Sequence, residues 1–265
     1  MKKTFRAEQA KEYWENRWGS AGVDMQHFEN LGIYPVKYAD AVVAPAASVL
    51  EAGCGTGRLY FHYRRLYGNE KTIHAFDYSE NAVNNILRAQ PDADVIQADV
   101  TCLPYADGAY DAVLAFGLFH GIEAPSDIVK GLAECARVLA AGGRLLFSVR
   151  LNGLENDIID YRTKRADAQK HGPRPFDQFH KWQFDVDDMD ALCRRAHLQV
   201  EHVELVRNVS FLFKWNAFRH RTMKKKVFKE SVARSTGFRL NFIGRCVDGF
   251  LHRRYPQHFS NLILI

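Results

Sequence analysis

No stretch of the chain approaches the roughly 18 consecutive apolar residues that a membrane-spanning helix needs. The opening Met1-Lys2-Lys3-Thr4-Phe5-Arg6-Ala7-Glu8 also lacks an apolar segment behind its lysines. Both absences argue against a membrane span and against export. Cysteine is sparse: Cys54, Cys102, Cys135, Cys193 and Cys246 are odd in number, widely spaced and without a Cys-x-x-Cys pair. Neither a disulfide framework nor a thiolate zinc site is indicated, and a reducing, cytoplasmic setting is expected. There is no internal repeat and no low-complexity linker.

What is present is a chain of 265 residues, 47% of them apolar, enough to bury one substantial core. The net charge of +5 is unevenly spread. Residues 207–258 hold thirteen Lys/Arg against two acids, Glu230 and Asp248, so the remainder is net negative. From residue 46 to about 206, short β-branched apolar runs alternate with helical patterns, the signature of βαβ units on a parallel sheet. Strands are expected at Ser48 to Glu51, Thr72 to Phe76, Asp94 to Gln97, Ala112 to Phe116, Arg144 to Val149, Gln199 to Val206 and Asn261 to Ile265. Between Asp127 and Leu139, the residues Ile128, Val129, Leu132, Cys135, Ala136 and Leu139 share one helical face, with Ser126 as the expected N-cap and Gly142-Gly143 as the expected stop. Two segments stand outside the alternation. Residues 1–45 read as a helical lid carrying Tyr13, Trp14 and Trp18, and 207–258 as a basic insert with Leu240, Ile243, Val247, Phe250 and Leu251 on one side of a helix.

The densest motif is Val49-Leu50-Glu51-Ala52-Gly53-Cys54-Gly55-Thr56-Gly57-Arg58, a glycine-rich turn after a strand. Such turns let the backbone approach a ligand closely, and several cofactor classes use them. A dinucleotide fingerprint needs glycine where this chain has Arg58, and the Gly-Lys-Ser/Thr of a P-loop is absent. Glu51 instead ends the strand. Asp77, in His74-Ala75-Phe76-Asp77-Tyr78-Ser79, ends the next strand, Gln97-Ala98-Asp99-Val100 ends the third, and Asp111 to Gly117 form the fourth.

These four motifs in order resemble the class I methyltransferases, in particular the branch called methyltransferase type 11, well over residues 46–150 and more loosely to 206. The resemblance implies a Rossmann-like α/β fold: a seven-stranded, mostly parallel sheet with helices on both faces, the last strand antiparallel; the basic segment adds a helical cap insert. With the two segments outside the alternation, the chain divides into a lid (1–45), a core (46–206 with 259–265) and the insert (207–258), which the resemblance does not identify. The resemblance implies S-adenosyl-L-methionine as cofactor, with Glu51, Gly53, Gly55 and Gly57 in the loop, Asp77 and Tyr78 at the ribose, Asp99 and Val100 at the adenine, Phe116 along the cofactor, and Trp14 in a lid above it. Each residue also has an ordinary structural use: Glu51 beside a helix dipole, Asp77 as an N-cap, Cys54 as a small loop residue, the tryptophans as packing.

A sulfonium cofactor carries its own electrophile, so the protein's task is alignment, with a base needed only for a protonated acceptor. His120, following the fourth strand, and His180, in Phe179-His180-Lys181-Trp182, are the catalytic candidates. Gly121 stands where the family often has a second histidine. The insert is expected to cap the site, and its charge favours an anionic small-molecule or glycan acceptor. RNA and peripheral membrane contact remain open, since aromatic residues among Lys/Arg can stack bases and a basic helix with an apolar face can rest on lipid. A cofactor-binding protein without turnover is the other alternative. No DNA contact and no metal site is expected.

Overall fold

In a computed structural model the described residues are 1–20, 33–229, 233 and 236–265. The chain begins with β1 (Lys2–Arg6), α1 (Ala10–Ser20), α2 (Tyr34–Val43), β2 (Ser48–Ala52), α3 (Arg58–Tyr67), β3 (Thr72–Asp77) and α4 (Glu80–Ala89). It continues through β4 (Val95–Gln97), β5 (Tyr110–Phe116), α5 (Pro125–Val138), β6 (Leu139–Arg150) and α6 (Leu154–His171). Then follow β7 (Gln178–Gln183), α7 (Val186–Arg195), β8 (Glu204–Val206), α8 (Phe242–Arg254) and β9 (Leu262–Leu264). The main sheet has seven strands in the order β4-β3-β2-β5-β6-β9-β8. β9 runs antiparallel to both of its neighbours, and the other pairings are parallel. This is the expected architecture. The central strands are apolar without alternation because both faces are covered: Leu50, Val113, Leu114 and Ala115 are fully buried. One face packs under α5 and α7 through Ile128, Leu132, Met189 and Leu192, the other under α2, α3 and α4 through Val36, Val43, Tyr60 and Ile86. Chain direction reverses its progress across the sheet between β2 and β5, and the crevice at the carboxyl edge there is where such folds take ligands.

Several expectations need correction. Residues 1–45 are not purely helical: β1 pairs antiparallel with β7, Phe5 opposite Phe179, in a separate two-stranded sheet, while residues 21–32 of the expected lid lie outside the described residues. Ser126 is not the N-cap of α5. Ala124 occupies that position in extended conformation and Pro125 is the first helical residue, because proline's fixed φ suits the first turn and restrains the residue before it. Gly142-Gly143 do not stop the helix either, which ends at Val138, and they lie within β6. There Gly142 has φ 79°, and a Cβ on Gly143 would meet the Asp111 carbonyl at 3.0 Å. β8 is only three residues long, beginning at Glu204 rather than Gln199, as befits an edge strand.

Among the described residues the insert holds α8, the 3-10 turns Phe211–Lys214 and Arg221–Met223 and the start of the short helix Pro256–Phe259, and it has a small core of Phe213, Met223 and Ala233, with Phe228 and Phe238 against it. It is anchored to α6, where Glu155 accepts from the Phe211 N–H at 2.9 Å and the Arg162 guanidinium lies 4.8 Å from the Trp215 ring centre. Among the described residues no helix is long and apolar enough to cross a membrane, and no cluster of His, Cys, Asp and Glu is arranged to hold a metal.

Candidate active site

Parallel register brings the acidic strand ends together. Glu51 stands opposite Ala75 and Ala52 opposite Phe76, so β2 and β3 finish side by side. The loop that follows has three left-handed glycines, Gly53 (φ 70°), Gly55 (φ 56°) and Gly57 (φ 74°). A side chain would be strained at each, and added Cβ atoms would meet Leu118 at 3.2 Å, Trp18 at 3.0 Å and Ile86 at 3.0 Å in turn. Gly57 is the N-cap of α3 and has no side chain to offer, so Glu51 supplies the acceptor, taking the Tyr60 N–H at 2.7 Å. Burial pushes the Glu51 carboxyl up to about 8; the Tyr60 N–H opposes this, Asp77 adds to it and Arg58 opposes it.

Asp77 holds the loop to the next turn. One carboxylate oxygen accepts from the Gly55 N–H at 2.7 Å and the other from the Ser79 N–H at 2.9 Å. The N-cap of α4 is Ser79, whose hydroxyl oxygen accepts from Ala82 N–H at 3.2 Å, so Asp77 supports the cap rather than being it. Burial raises the Asp77 carboxyl above its usual range, the two N–H groups oppose this, and Glu15 adds to it.

Glu15, which sequence reasoning passed over, fastens α1 to this turn. Its carboxylate accepts from the Ser79 hydroxyl at 3.0 Å, the Glu80 N–H at 3.2 Å and the Asn81 side-chain amide at 3.0 Å. The Asn85 amide donates to the Trp18 carbonyl at 2.7 Å. So fastened, α1 crosses the carboxyl edge of the sheet: Trp18 lies over Gly55, Trp14 stacks on Trp18 at 5.8 Å and approaches Gly121, and Tyr13 meets His180 edge-on at 5.4 Å. An N-terminal lid was the sequence expectation for Trp14, and the position of α1 suits it.

The remaining candidates are spread along the same edge. Tyr78 is exposed, and Asp99 is exposed and accepts from both the N–H and the hydroxyl of Thr101 at 2.8 Å. Val100 turns its side chain into the core against Gly131, leaving only its main chain for a ligand. The Phe116 ring packs on Tyr34 at 5.7 Å. His120 is 6% exposed, and its Nδ1 has no hydrogen-bond partner. His180 lies on β7 itself, outside the main sheet, and its Nδ1 is likewise unpartnered.

With the two histidines come two cations that the sequence reading did not weigh, Arg150 at the end of β6 and Lys181 beside His180. Arg150 Nε is buried and unpartnered. Burial holds the His120 imidazole well below its usual range, and Arg150, Lys181 and His180 push it further. The Lys181 ammonium is depressed by burial, then by Arg150 and Arg6, with Asp160 opposing. His180 falls to about 3, from burial first and Lys181 next. Asp160, the acid facing this group, is already paired with Arg6 and Lys164. The site thus has an acidic end (Glu15, Glu51, Asp77) and a cationic end. Arg150 could have been noticed as a charge at the carboxyl end of a central strand; Glu15 left no signal, because its partners are assembled by tertiary packing.

Residues 49–143 match a family model described as a methyltransferase domain. The demethylmenaquinone methyltransferase of Renibacterium salmoninarum is 38% identical over 109 residues, 40% of this chain and 43% of that protein. A mouse protein named probable tRNA methyltransferase 9B is 30% identical over 105 residues, 40% of this chain and 22% of that one. The chain spans less than half the length of each of these relatives. A SAM-dependent methyltransferase from Archaeoglobus fulgidus has the same fold, with a TM-score of 0.56 over 96% of this chain and 97% of that one at 10% identity. Strand order, glycine loop and matched model are those of class I S-adenosylmethionine-dependent methyltransferases, which the chain resembles over residues 49–143. Over this segment the chain resembles the methyltransferase type 11-like branch of that class.

Three outcomes are expected. An Asp77→Asn change puts an amide N–H against a backbone N–H and should cost about 2 kcal/mol in urea denaturation without any ligand, from the loss of charge-assisted bonds. Because the Glu51 carboxyl is raised from 4.5 to about 8 on folding, folding takes up a proton between those values, and this residue's contribution to stability falls as pH rises through them. Glu51→Gln keeps the acceptor for Tyr60 and does not titrate, so its stability relative to wild type should rise from pH 5 to pH 8. Glu15→Ala should raise the dissociation rate of S-adenosylmethionine in stopped-flow binding by freeing α1; an unchanged rate would show that the latch is incidental.

Proposed function

We propose that the protein transfers the methyl group of S-adenosylmethionine to an oxygen or nitrogen of a small, anionic acceptor. The observation that carries this reading is the cationic cluster at the carboxyl edge, where, among the described residues, Arg150 and Lys181 lack a paired acid and His120 and His180 offer unpartnered ring nitrogens. Enclosed charges of one sign are costly unless a counter-charge arrives, and here the acceptor supplies it. The acidic end suits the cofactor, which is cationic at sulfur: glycines 53, 55 and 57 allow close approach, and Asp77 takes the ribose hydroxyls with the lone pairs its two backbone bonds leave over. Glu51 and Tyr78 flank it, the Asp99 carboxylate and the Val100 main chain take the adenine edge, Phe116 backs the methyl, and Trp14 with α1 closes over the top.

When bound, the cofactor supplies an electrophilic methyl whose carbon–sulfur bond breaks as the bond to the acceptor forms, the sulfur leaving as a thioether. Arg150 and Lys181 hold the acceptor's negative group, which fixes its reacting lone pair toward the methyl. His120 is neutral, so its ring can accept the proton released by a hydroxyl or amine, and the acceptor's negative charge raises its basicity as it binds. His180, neutral as well and held against Tyr13, hydrogen-bonds the acceptor from the β7 side.

An RNA acceptor would need aromatic faces free to stack bases. In the insert Phe211 and Phe213 are buried, with Arg219 4.3 Å from the Phe213 ring centre, whereas Phe242 and Phe250 are exposed on α8. It is the cationic cluster at the carboxyl edge that favours the small acceptor, although one relative is named for tRNA. Calorimetry should detect S-adenosylmethionine binding to the wild type. Against a panel of carboxylated and phosphorylated metabolites, Arg150→Met and Lys181→Met should each raise the acceptor KM by about 10- to 100-fold, the scale of one charge-assisted contact, with cofactor affinity unchanged. Absence of cofactor binding overturns the reading, and so would turnover of an uncharged acceptor that neither substitution affects.

A further inference from the structure

Helix α8 carries its apolar residues on the wrong side for a core. Phe242, Ile243 and Phe250 are 72%, 64% and 63% exposed, with exposed Cys246 between them. Positions 242, 243, 246 and 250 form one stripe of an α-helix. The opposite side is what the helix buries: Gly244 backs onto the Phe218 carbonyl, 2.9 Å from where a Cβ would lie, and Asp248 pairs with Arg207. The face is presented rigidly rather than frayed. Asn241 caps the helix by accepting from the Gly244 N–H at 2.8 Å, and its own amide donates to the Ala217 carbonyl at 2.6 Å.

The stripe is bordered by cations. Arg245, Arg253 and Arg254 are exposed on the same helix, and Lys224, Lys225 and Lys226 are exposed on the segment beside it, where Lys225 N–H is held by the Asn216 side chain at 2.8 Å. A cavity of about 660 Å³ opens on the helix flank, lined by Arg207, His220, Arg239 and Arg245, with Asp248 as its carboxylate. That carboxylate is already taken by Arg207, so the cavity presents net positive charge.

We propose that α8 is a docking surface for anionic lipid, lying in the plane of a membrane interface with Phe242, Ile243 and Phe250 among the acyl chains, Arg253 and Arg254 at the phosphates, and one headgroup in the arginine-lined cavity. Thirteen residues are too few to span a bilayer, whereas an apolar stripe between basic flanks is what an interfacial helix needs. Charge selects this occupant over a second copy of the chain: a symmetric pairing through α8 would bring the arginines of one copy against those of the other. The inference is independent of the acceptor and of turnover.

The full chain should co-sediment with vesicles of phosphatidylcholine and phosphatidylglycerol, and at least tenfold more weakly with phosphatidylcholine alone. Phe242→Ser with Phe250→Ser should abolish binding to both, while circular dichroism and the thermal midpoint stay as in wild type, since these side chains face solvent. Arg253→Gln with Arg254→Gln should weaken binding to the anionic vesicles and flatten its dependence on salt. Absence of sedimentation with anionic vesicles overturns the proposal. So does a serine variant that binds as wild type, a dimer in gel filtration that the same serine changes dissociate, or tRNA that binds more tightly than the vesicles and displaces them.

Discussion

The geometry of the carboxyl edge depends on one carboxylate. By accepting from Gly55 N–H and Ser79 N–H, Asp77 ties the loop after β2 to the turn after β3, so two crossover connections that could move separately are held as one piece. The consequence travels outward. Ser79 caps α4 and donates its hydroxyl to Glu15, and Glu15 brings α1 across the edge with Trp18 over Gly55. Loop, turn and α1 are therefore links in a single hydrogen-bonded chain, and the left-handed glycines are what allow the links to come close enough. The arrangement gathers Glu15, Glu51 and Asp77; burial raises the carboxyls of the last two, with Asp77 adding to Glu51 and Glu15 to Asp77. It is sustained because those acids face backbone N–H groups in the first turns of α3 and α4, where the helix dipole favours negative charge.

The cationic end has no comparable relief. Arg150, Lys181 and the two histidines are brought together by β6, the turn after β5, and β7, and the neighbouring acids are committed elsewhere: Asp160 to Arg6 and Lys164, Glu155 to the Phe211 N–H and Asn261. Burial works in opposite senses at the two ends, lifting carboxyls and depressing ammonium and imidazole, and in both it penalises the charged form. Such unrelieved charge is a cost in stability that functional sites characteristically bear. On the proposed reading, a cationic cofactor relieves one end and an anionic acceptor the other.

How much of this was legible in the sequence follows from the range of the interactions. The parallel strands declare themselves because burial on both faces leaves continuous apolar runs such as Ala112 to Phe116, and the loop declares itself because left-handed backbone selects glycine. Asp77 and Glu51 could be placed since each ends a strand. β1 could not: Lys2–Arg6 has no alternation strong enough to mark a strand, and its partner lies some 175 residues away. Pro125 outranked Ser126 at the start of α5 because backbone restriction acts before side-chain capping does. Glu15, Arg150 and Lys181 each look like ordinary surface charges in the sequence, and only packing shows what they face. Periodicity likewise found an apolar face around Ile243 and Phe250, but periodicity says that a face exists and is silent on what covers it.

The insert shows most clearly that a sequence average does not say where each charge acts. Its thirteen basic residues suggested that it selects the acceptor, and among its described residues the guanidinium groups are divided between internal use and open solvent. Arg219 lies over Phe213 and Phe228, Arg162 of α6 covers Trp215, Arg207 is paired with Asp248, while Arg253 and Arg254 face outward. A charge in open solvent contributes little to selecting a small ligand because water screens it, whereas an unpaired cation enclosed by protein acts at nearly full strength. On the proposed reading, Arg150 and Lys181 at the carboxyl edge therefore outweigh a numerical excess in the insert as readers of a small anion. The exposed excess is suited to a partner that is itself extended and multiply charged, where weak contacts add over an area.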